Sequence, residues 1–221
     1  MKNQRALLFV NGELPDPRQV AALIQPDDFL VAVDGGLEHL KALHLQPHLL
    51  IGDLDSVDPQ DVIRLEAAGV PVERFPVEKD ENDLELALDS VVRRGCRILR
   101  IIAGVGGRLD QTLANLFLLA RPHLADCDLR LDDGQTEVLL VRQSAQIEGQ
   151  PGETVSLLPL GRPACGVTTL GLRYPLHAET LWPDRTRGVS NALAEPRASV
   201  RLSEGLLICV HIRGEGLDVR S

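Results

Sequence analysis

The first 134 residues alternate short apolar runs with segments whose apolar positions repeat at helical spacing. The apolar runs, at residues 6–10, 29–33, 49–51 and 98–103, are unbroken rather than alternating. Unbroken runs of this length are typical of strands that are buried on both faces of a parallel sheet. The pattern therefore predicts at least these strands in the first part of the chain.

Three helices are predicted in the same part of the chain. One begins after Asp58, which can cap it, and has Pro59 in its first turn. The second follows a possible capping box of Asn82 and Glu85, and the third follows Asp110. Because strands alternate with helices, we expect an α/β domain at residues 1–134 with a mostly parallel, Rossmann-like sheet.

After Gly134 the helical spacing disappears and short apolar runs are separated by turn residues such as Pro151-Gly152. The predicted strands lie at residues 137–141, 154–158, 167–170, 199–202 and 206–212. Many short strands with regular turn signals are typical of a sandwich. We therefore expect an all-β sandwich domain at residues 135–221.

Charge and hydropathy narrow the function classes. The chain has 32 acidic and 23 basic residues, for a net charge of −9. Such a surface repels nucleic acid and anionic membranes, so neither is an expected partner. No apolar run approaches the roughly 20 residues that span a bilayer. The sequence predicts a cytoplasmic protein.

Acidic residues recur where the predicted parallel strands end. The segments that follow strands or precede a helix are Asp34-Gly35-Gly36, Gly52-Asp53-Leu54-Asp55-Ser56, Gly106-Gly107-Arg108-Leu109-Asp110-Gln111 and Glu78-Lys79-Asp80-Glu81-Asn82-Asp83. Any single aspartate here could simply cap a helix. However, loops after parallel strands converge at one edge of the sheet, and clustered carboxylates need a cation. Oxygen ligands favour Mg²⁺.

The glycines in these loops predict a phosphate site beside the metal. A backbone without a Cβ lets N–H groups approach phosphate oxygens, and Arg108 can add a bidentate contact. Mg²⁺ together with phosphate suggests a nucleotide. Two common nucleotide motifs are absent from the sequence: there is no G-x-x-x-x-G-K-[ST], and Leu109 occupies the third glycine position of G-x-G-x-x-G.

The second half contains one candidate binding segment. Tyr174 is the only tyrosine of the chain and lies between Arg173 and Pro175, while Ser190 and Asn191 supply small polar side chains. A ring with hydroxyl and amide groups nearby can hold a flat heterocycle.

These motifs, taken together and in this order, resemble the thiamine pyrophosphokinase (thiamine diphosphokinase) family, particularly its bacterial members. The resemblance covers nearly the whole chain. It is carried by the acidic and glycine-rich segments given above and, in the second half, by residues 168–176 and by Ser190-Asn191. The resemblance implies an α/β nucleotide domain joined to a β-sandwich, and a homodimer that moves the diphosphoryl group of ATP to the hydroxyl of thiamine, releasing AMP.

The resemblance also implies roles for individual residues. The metal site would contain Asp53, Asp55 and Asp83, and the catalytic residues would be Asp55, Asp83 and Asp110. The nucleotide would be bound by Asp34, Gly35, Gly36, Gly52, Asp53, Gly106, Gly107, Arg108 and Gln111. Thiamine would be held by Tyr174, Ser190 and Asn191 at the subunit interface. The chain departs from the family at Asn82, where Thr or Ser is usual, and at Tyr174, where some members have Trp.

Three questions stay open at this stage. Either Asp83 or Asp110 could accept the proton of the attacking hydroxyl. The acceptor could be another hydroxymethyl heterocycle, such as a pterin. The chain could also bind its ligands as a sensor, without turnover.

Overall fold

The computed structural model describes residues 4–216. The described residues form two compact units, with the boundary between Gly134 and Gln135. Within the described residues, no helix has both the length and the apolar character needed to cross a membrane.

The first unit alternates strands and helices. Its strands are β1 (Gln4–Phe9), β2 (Phe29–Val33), β3 (Leu49–Gly52), β4 (Val72–Arg74), β5 (Cys96–Ile102) and β6 (Asp128–Asp132). Its α-helices are α1 (Pro17–Leu23), α2 (Leu37–Ala42), α3 (Pro59–Ala67), α4 (Asp83–Arg93) and α5 (Leu109–Leu118). Short 3₁₀ turns occur at Asp34–Gly36 and Pro122–Leu124.

The strands of this unit form a parallel sheet in the order β6-β5-β1-β2-β3-β4. The chain starts at β1, proceeds outward to β4, and then returns to the other side of β1 to add β5 and β6. The strand order thus reverses between β1 and β5. In open α/β sheets, ligands bind outside the carboxyl ends of the strands at such a reversal.

Helices α3 and α4 begin where the sequence predicts them, whereas α5 begins at Leu109, before Asp110, and α1 and α2 were not predicted. Asp58 caps α3 by accepting a hydrogen bond from the backbone N–H of Gln60, and the side chain of Asn82 caps α4 by accepting one from the N–H of Glu85 at 2.8 Å. The buried face of α4 includes Leu88, and this helix packs against β1, β2, β3 and β5. Cap and apolar stripe together fix the N-terminal end of α4 above the sheet edge.

The described part of the second unit, residues 135–216, contains strands and no helix. They are β7 (Thr136–Val141), β8 (Ser144–Glu148), β9 (Glu153–Pro159), β10 (Ala164–Leu170), β11 (Glu179–Leu181), β12 (Asn191–Ala192), β13 (Arg197–Arg201) and β14 (Leu207–Gly216).

These strands form two antiparallel layers, β12-β9-β14-β7 and β11-β10-β13-β8. Alternate residues of each layer point into one shared core, which includes Val141 and Leu157 from the first layer and Val167 and Val200 from the second. The unit is therefore a β-sandwich. Both halves of the predicted fold class, a mostly parallel α/β sheet and an antiparallel sandwich, are confirmed.

Candidate active site

A cleft of about 540 Å³ opens in the first unit at the carboxyl ends of β1, β2 and β5. The N-terminal ends of α4 and α5 also contribute to its walls. This is the reversal of strand order described above, where helix N-termini add positive potential. The cleft is therefore placed as the sequence analysis expected for a ligand site.

Three carboxylates converge at this edge of the sheet. Asp34 follows β2, Asp53 follows β3, and Asp83 is the first residue of α4; one oxygen from each lies within 4.8 Å of the others. The three side chains are half-buried. We call this set the acidic cluster.

The acidic cluster has the properties of a divalent-cation site. Its donors are all carboxylates, the oxygen ligands that Mg²⁺ prefers. Oδ1 of Asp34 is buried and has no hydrogen-bond partner within residues 4–216. Burial, together with the charges of Asp53 and Asp83, raises the pKa of Asp34, while the backbone N–H of Gly35 and the hydroxyl of Ser56 oppose the shift. The residues thus fit a magnesium ion.

The backbone around Asp34 is shaped to aim its side chain. Asp34 has a φ of 48°, a value that non-glycine residues seldom adopt. Gly52 makes room for it, because a Cβ at Gly52 would lie 3.0 Å from the Cβ of Asp34. Gly52 itself has a φ of 150°. Gly52 therefore supports the acidic cluster through its backbone.

The side chain of Lys79 contacts the acidic cluster. The sequence analysis gave this lysine no role of its own. Its ammonium nitrogen lies 3.3 Å from Oδ2 of Asp53 and 3.0 Å from Oδ1 of Asp83, and it donates a hydrogen bond to the carbonyl of Pro76 at 3.0 Å. Only 11% of its side chain is exposed. Burial alone would lower the pKa of Lys79, but the carboxylates of Asp83 and Asp53 outweigh it and raise that pKa.

Asp55 lies outside the acidic cluster. Its side chain is exposed and accepts a hydrogen bond from the hydroxyl of Ser56 at 2.9 Å. Its backbone N–H instead donates to Oδ1 of Asp53 at 3.2 Å, and this bond, ahead of Lys79, lowers the pKa of Asp53. Asp55 therefore orients Asp53 through its main chain, whereas the sequence analysis expected its carboxylate among the metal ligands.

Asp110 is paired with Arg108. Nε of Arg108 lies 3.1 Å from Oδ1 of Asp110 and Nη2 lies 2.6 Å from Oδ2, so the contact is bidentate. The guanidinium lowers the pKa of Asp110 and both side chains are largely exposed. A carboxylate with a lowered pKa is a weaker base, so the geometry favours Asp110 as a partner that orients Arg108.

The glycine loop before α5 forms one wall of the cleft. Gly106 and Gly107 have φ values of 91° and 66°, which place them in the region that favours glycine. The hydroxyl of Thr112 donates to the carbonyl of Gly106 at 3.3 Å, and Nδ2 of Asn115 donates to that of Gly104 at 2.9 Å. Gln111 also lines the cleft. The side chains of α5 thus fix the conformation of the loop.

Gly35 and Gly36 are buried and do not line the cleft. A Cβ on Gly36 would lie 1.8 Å from the carbonyl oxygen of Phe9, and one on Gly35 would lie 2.6 Å from the side chain of Asn11. These glycines let the turn after β2 approach β1 closely. Their visible role is packing, although the sequence analysis expected them at the nucleotide.

Sequence reasoning missed five polar or glycine residues that line the cleft. They are Asn11, Gly12, Glu13, Thr112 and Asn115. The first three follow β1 directly, so the rule that was applied to the other strands would have found them. The last two lie on α5, one and two turns into the helix, where no signal in the sequence marks them.

The second unit brings Tyr174 and Asn191 together. Oδ1 of Asn191 accepts a hydrogen bond from the backbone N–H of Tyr174 at 3.0 Å, and Nδ2 donates to the carbonyl of Tyr174 at 2.7 Å. Asn191 is buried, whereas the Tyr174 side chain is exposed and the guanidinium of Arg173 lies 5.7 Å from the centre of its ring. Asn191 therefore fixes the backbone that presents the ring.

Ser190 is exposed and has a φ of 57°. Its backbone N–H donates to the hydroxyl of Ser156 at 3.0 Å. The backbone of Ser190 is thus tied to β9, while its side chain lies at the surface of the unit.

Fold and site together define a class: an α/β protein with an acidic, glycine-lined cleft suited to a metal-bound phosphate, joined to a β-sandwich. Comparison with known families narrows this class. Residues 20–131 match the model described as "Thiamin pyrophosphokinase, catalytic domain", and residues 140–207 match "Thiamin pyrophosphokinase, vitamin B1 binding domain". The chain belongs to the thiamin pyrophosphokinase family.

Individual relatives agree with the family assignment. The thiamine pyrophosphokinase of Bacillus subtilis is 29% identical over 182 residues, which cover 81% of this chain and 85% of that protein. A crystal structure of thiamine pyrophosphokinase from the same organism superposes with a TM-score of 0.84 at 25% identity, covering 95% of this chain and 99% of that one.

A more distant structure shares the fold. Thiamin pyrophosphokinase from Candida albicans is 17% identical and has a TM-score of 0.81, covering 96% of this chain and 90% of that one. The same architecture is thus kept at low sequence identity.

Proposed function

We propose that the chain is a magnesium-dependent enzyme that transfers the diphosphoryl group of ATP to the hydroxyl of thiamine, giving thiamine diphosphate and AMP. The family assignment supports the reaction, and the acidic cluster supports the dependence on magnesium. The observation that carries the proposal is the convergence of Asp34, Asp53 and Asp83 at the open end of the sheet, beside a glycine-lined cleft.

The acidic cluster would hold the ion. Asp34, Asp53 and Asp83 offer oxygen atoms from three different elements, so the folded sheet edge brings them together. A bound magnesium ion would offset the negative charge of the phosphate oxygens during transfer.

The glycine loop and Arg108 would bind the phosphates of ATP. The positive φ values of Gly106 and Gly107 expose the loop backbone toward the cleft, where no Cβ blocks an approaching oxygen. Arg108 carries five N–H donors, and its present partner Asp110 is exposed, so the guanidinium can exchange that partner for a phosphate at small cost.

The second unit would bind thiamine. The exposed ring of Tyr174 offers a flat surface to a heterocycle, and the hydroxyl of Ser190 lies at the surface of the same unit. Asn191 would act indirectly, because its side-chain amide is already engaged with the backbone of Tyr174.

In the reaction, the thiamine hydroxyl oxygen attacks the β-phosphorus of ATP. The new O–P bond forms while the bond between the β-phosphorus and the oxygen that it shares with the α-phosphorus breaks, and AMP leaves with that bonding electron pair. The chain's residues act chiefly by positioning the reactants and by stabilising charge, as is general for phosphoryl transfer. A carboxylate or water receives the hydroxyl proton; Asp110 is paired with Arg108 and Asp83 with Lys79, so the contacts favour neither of these two carboxylates as the base.

We also propose that the enzyme is a cytoplasmic homodimer with thiamine bound at the subunit interface. In that case, two inactive variants can complement each other. A mixture of Asp53→Asn and Tyr174→Ala subunits, unfolded and refolded together, would contain mixed dimers with one intact site. Activity in the mixture above the sum of the separate variants supports the shared site, and a monomer by light scattering contradicts it.

Metal depletion tests the proposed function. The enzyme is assayed with ATP and thiamine after dialysis against a chelator, and again after Mg²⁺ is restored. We expect no thiamine diphosphate without the metal and full recovery with it. Turnover that survives the chelator would remove the acidic cluster from the mechanism, and binding of both substrates without products would identify a sensor.

A further inference from the structure

The acidic cluster already contains a cation that belongs to the chain. The ammonium group of Lys79 contacts Asp53 and Asp83, and only 11% of the lysine side chain is exposed. Both carboxylates are also the proposed ligands of magnesium. The same oxygen atoms are thus offered to two different cations.

We propose that the Lys79 ammonium group and a divalent cation are alternative occupants of the acidic cluster. In the metal-free protein, Lys79 neutralises part of its negative charge. When the metal binds, the ammonium group leaves these carboxylates. The inference rests on the proposed magnesium site and adds a residue that sets its affinity.

Charge makes simultaneous occupation unfavourable. A monovalent ammonium and a divalent ion that share the same carboxylates repel each other, and burial leaves little water to screen the repulsion. The lysine has room to respond, because its four-carbon stem is flexible and its third contact, with the carbonyl of Pro76, is an ordinary hydrogen bond. Lys79 thus stabilises the empty site and weakens metal binding.

A second lysine in the same unit provides a matched control. Nζ of Lys41 lies 2.8 Å from Oε1 of Glu38 and 2.6 Å from Oδ2 of Asp61, so it also bridges two carboxylates. None of these three residues lines the cleft or belongs to the acidic cluster. Lys41→Met therefore removes the same charge from a similar contact without touching the proposed metal site.

The test measures Mg²⁺ alone binding to the full chain by calorimetry, for the wild type, Lys79→Met and Lys41→Met. Thermal unfolding is followed in parallel with a chelator and with saturating Mg²⁺. Lys79→Gln repeats the measurement with a polar side chain in case Lys79→Met folds poorly, and Lys79→Arg restores the charge.

We expect Lys79→Met to bind Mg²⁺ about tenfold more tightly or better, since one positive charge beside the ion is removed. Its melting temperature should fall in chelator and return toward that of the wild type in Mg²⁺. Lys79→Arg and Lys41→Met should keep the wild-type affinity. Mg²⁺ binding that can be measured for Lys79→Met but not for the wild type would support the inference equally.

Unchanged or weaker binding in both Lys79→Met and Lys79→Gln would overturn the inference, as would an equal gain in Lys41→Met. A loss of stability in Lys79→Met that Mg²⁺ does not correct would show that Lys79 only anchors its loop. Absence of Mg²⁺ binding by every variant would overturn it as well. The proposed function is tested separately, by product formation in the wild type, which none of these binding measurements uses.

Discussion

The side-chain amide of Asn191 is hydrogen-bonded to both backbone groups of Tyr174, at 3.0 Å to the N–H and 2.7 Å to the carbonyl. The two residues are 17 positions apart in sequence, and no pattern in either segment predicts these hydrogen bonds. Oδ1 of Asn191 also accepts from the N–H of Ala192 at 2.9 Å. Asn191 therefore acts as a positioning residue for the proposed thiamine-binding ring.

Asn191→Ala should release the Tyr174 segment. We expect the KM for thiamine to rise about tenfold while the KM for ATP stays within about twofold, and stability to fall by about 1–3 kcal/mol because buried polar groups lose their partners. Steady-state kinetics with each substrate varied and denaturant unfolding check this. Ser190→Ala, which leaves the hydrogen bonds between Asn191 and the Tyr174 backbone intact, is the control for stability. Equal rises in both KM values would contradict a specific effect on the ring.

Asp53→Asn and Asp55→Asn should have very different effects on kcat, although only one residue separates the two positions. Asp53 supplies an oxygen to the acidic cluster, whereas the Asp55 carboxylate is exposed and bonded to Ser56. At saturating Mg²⁺ we expect kcat to fall about 10²-fold or more for Asp53→Asn and less than about tenfold for Asp55→Asn. Equal losses of kcat would place Asp55 in the metal site, as the sequence analysis expected.

Gly36→Ala should destabilise the first unit severely. Its Cβ would lie 1.8 Å from the carbonyl oxygen of Phe9, a backbone atom that cannot move without shifting β1. We expect a loss of about 3 kcal/mol or more in the free energy of unfolding. Gly95→Ala is the matched control: Gly95 has a φ of 95° but nothing within 4 Å, so its loss should be about 1 kcal/mol. Similar losses in urea unfolding would rule out the close contact as the cause.

Glu153 should contribute to stability in a pH-dependent way. Burial raises the pKa of Glu153, but hydrogen bonds from the N–H groups of Gln150 and Gly214 and from Nε2 of His211 together lower that pKa below its usual value of 4.5. Because the folded-state pKa is depressed, the contribution is present above pH 4.5 and is lost as the pH falls through the folded-state pKa.

Glu153→Gln tests this contribution. We expect the variant to be less stable than the wild type near pH 7, on the order of 1 kcal/mol. The difference should shrink as the pH falls below 4.5, which is the usual pKa of this carboxyl. Urea unfolding across this range measures it. A difference that stays constant with pH would mean that the charge of Glu153 is not the source.

The sequence predicted the elements whose own pattern is strong. The apolar run at 29–33 coincides with β2, and the cap and stripe of α4 were both recognisable. β8 was missed, since Ser144–Glu148 is mostly polar and its single fully buried residue is Ile147. β4 has only three residues, none of them fully buried. Such strands are held by their neighbours rather than by their own hydrophobicity.

The sequence analysis expected Asp53, Asp55 and Asp83 at the metal, and the acidic cluster contains Asp53 and Asp83 but has Asp34 in place of Asp55. Strand ends locate Asp34, Asp53 and Asp55 at one edge of the sheet, but side-chain direction depends on local backbone geometry. Asp34, which belongs to the cluster, has an unusual φ of 48°. Leu54, which directly precedes Asp55, has an unusual φ of 66°, and the Asp55 side chain lies outside the cluster. The contact of Lys79 with the same carboxylates depends on folding of the 76–82 segment, which periodicity does not describe.

Product analysis with labelled ATP tests the central claim most directly. The purified chain is incubated with Mg²⁺, thiamine and ATP that carries its label in the β-phosphate, and the products are separated. The account predicts AMP without label and labelled thiamine diphosphate in equal amounts. Labelled ADP, with thiamine monophosphate or with no thiamine ester, would contradict diphosphoryl transfer.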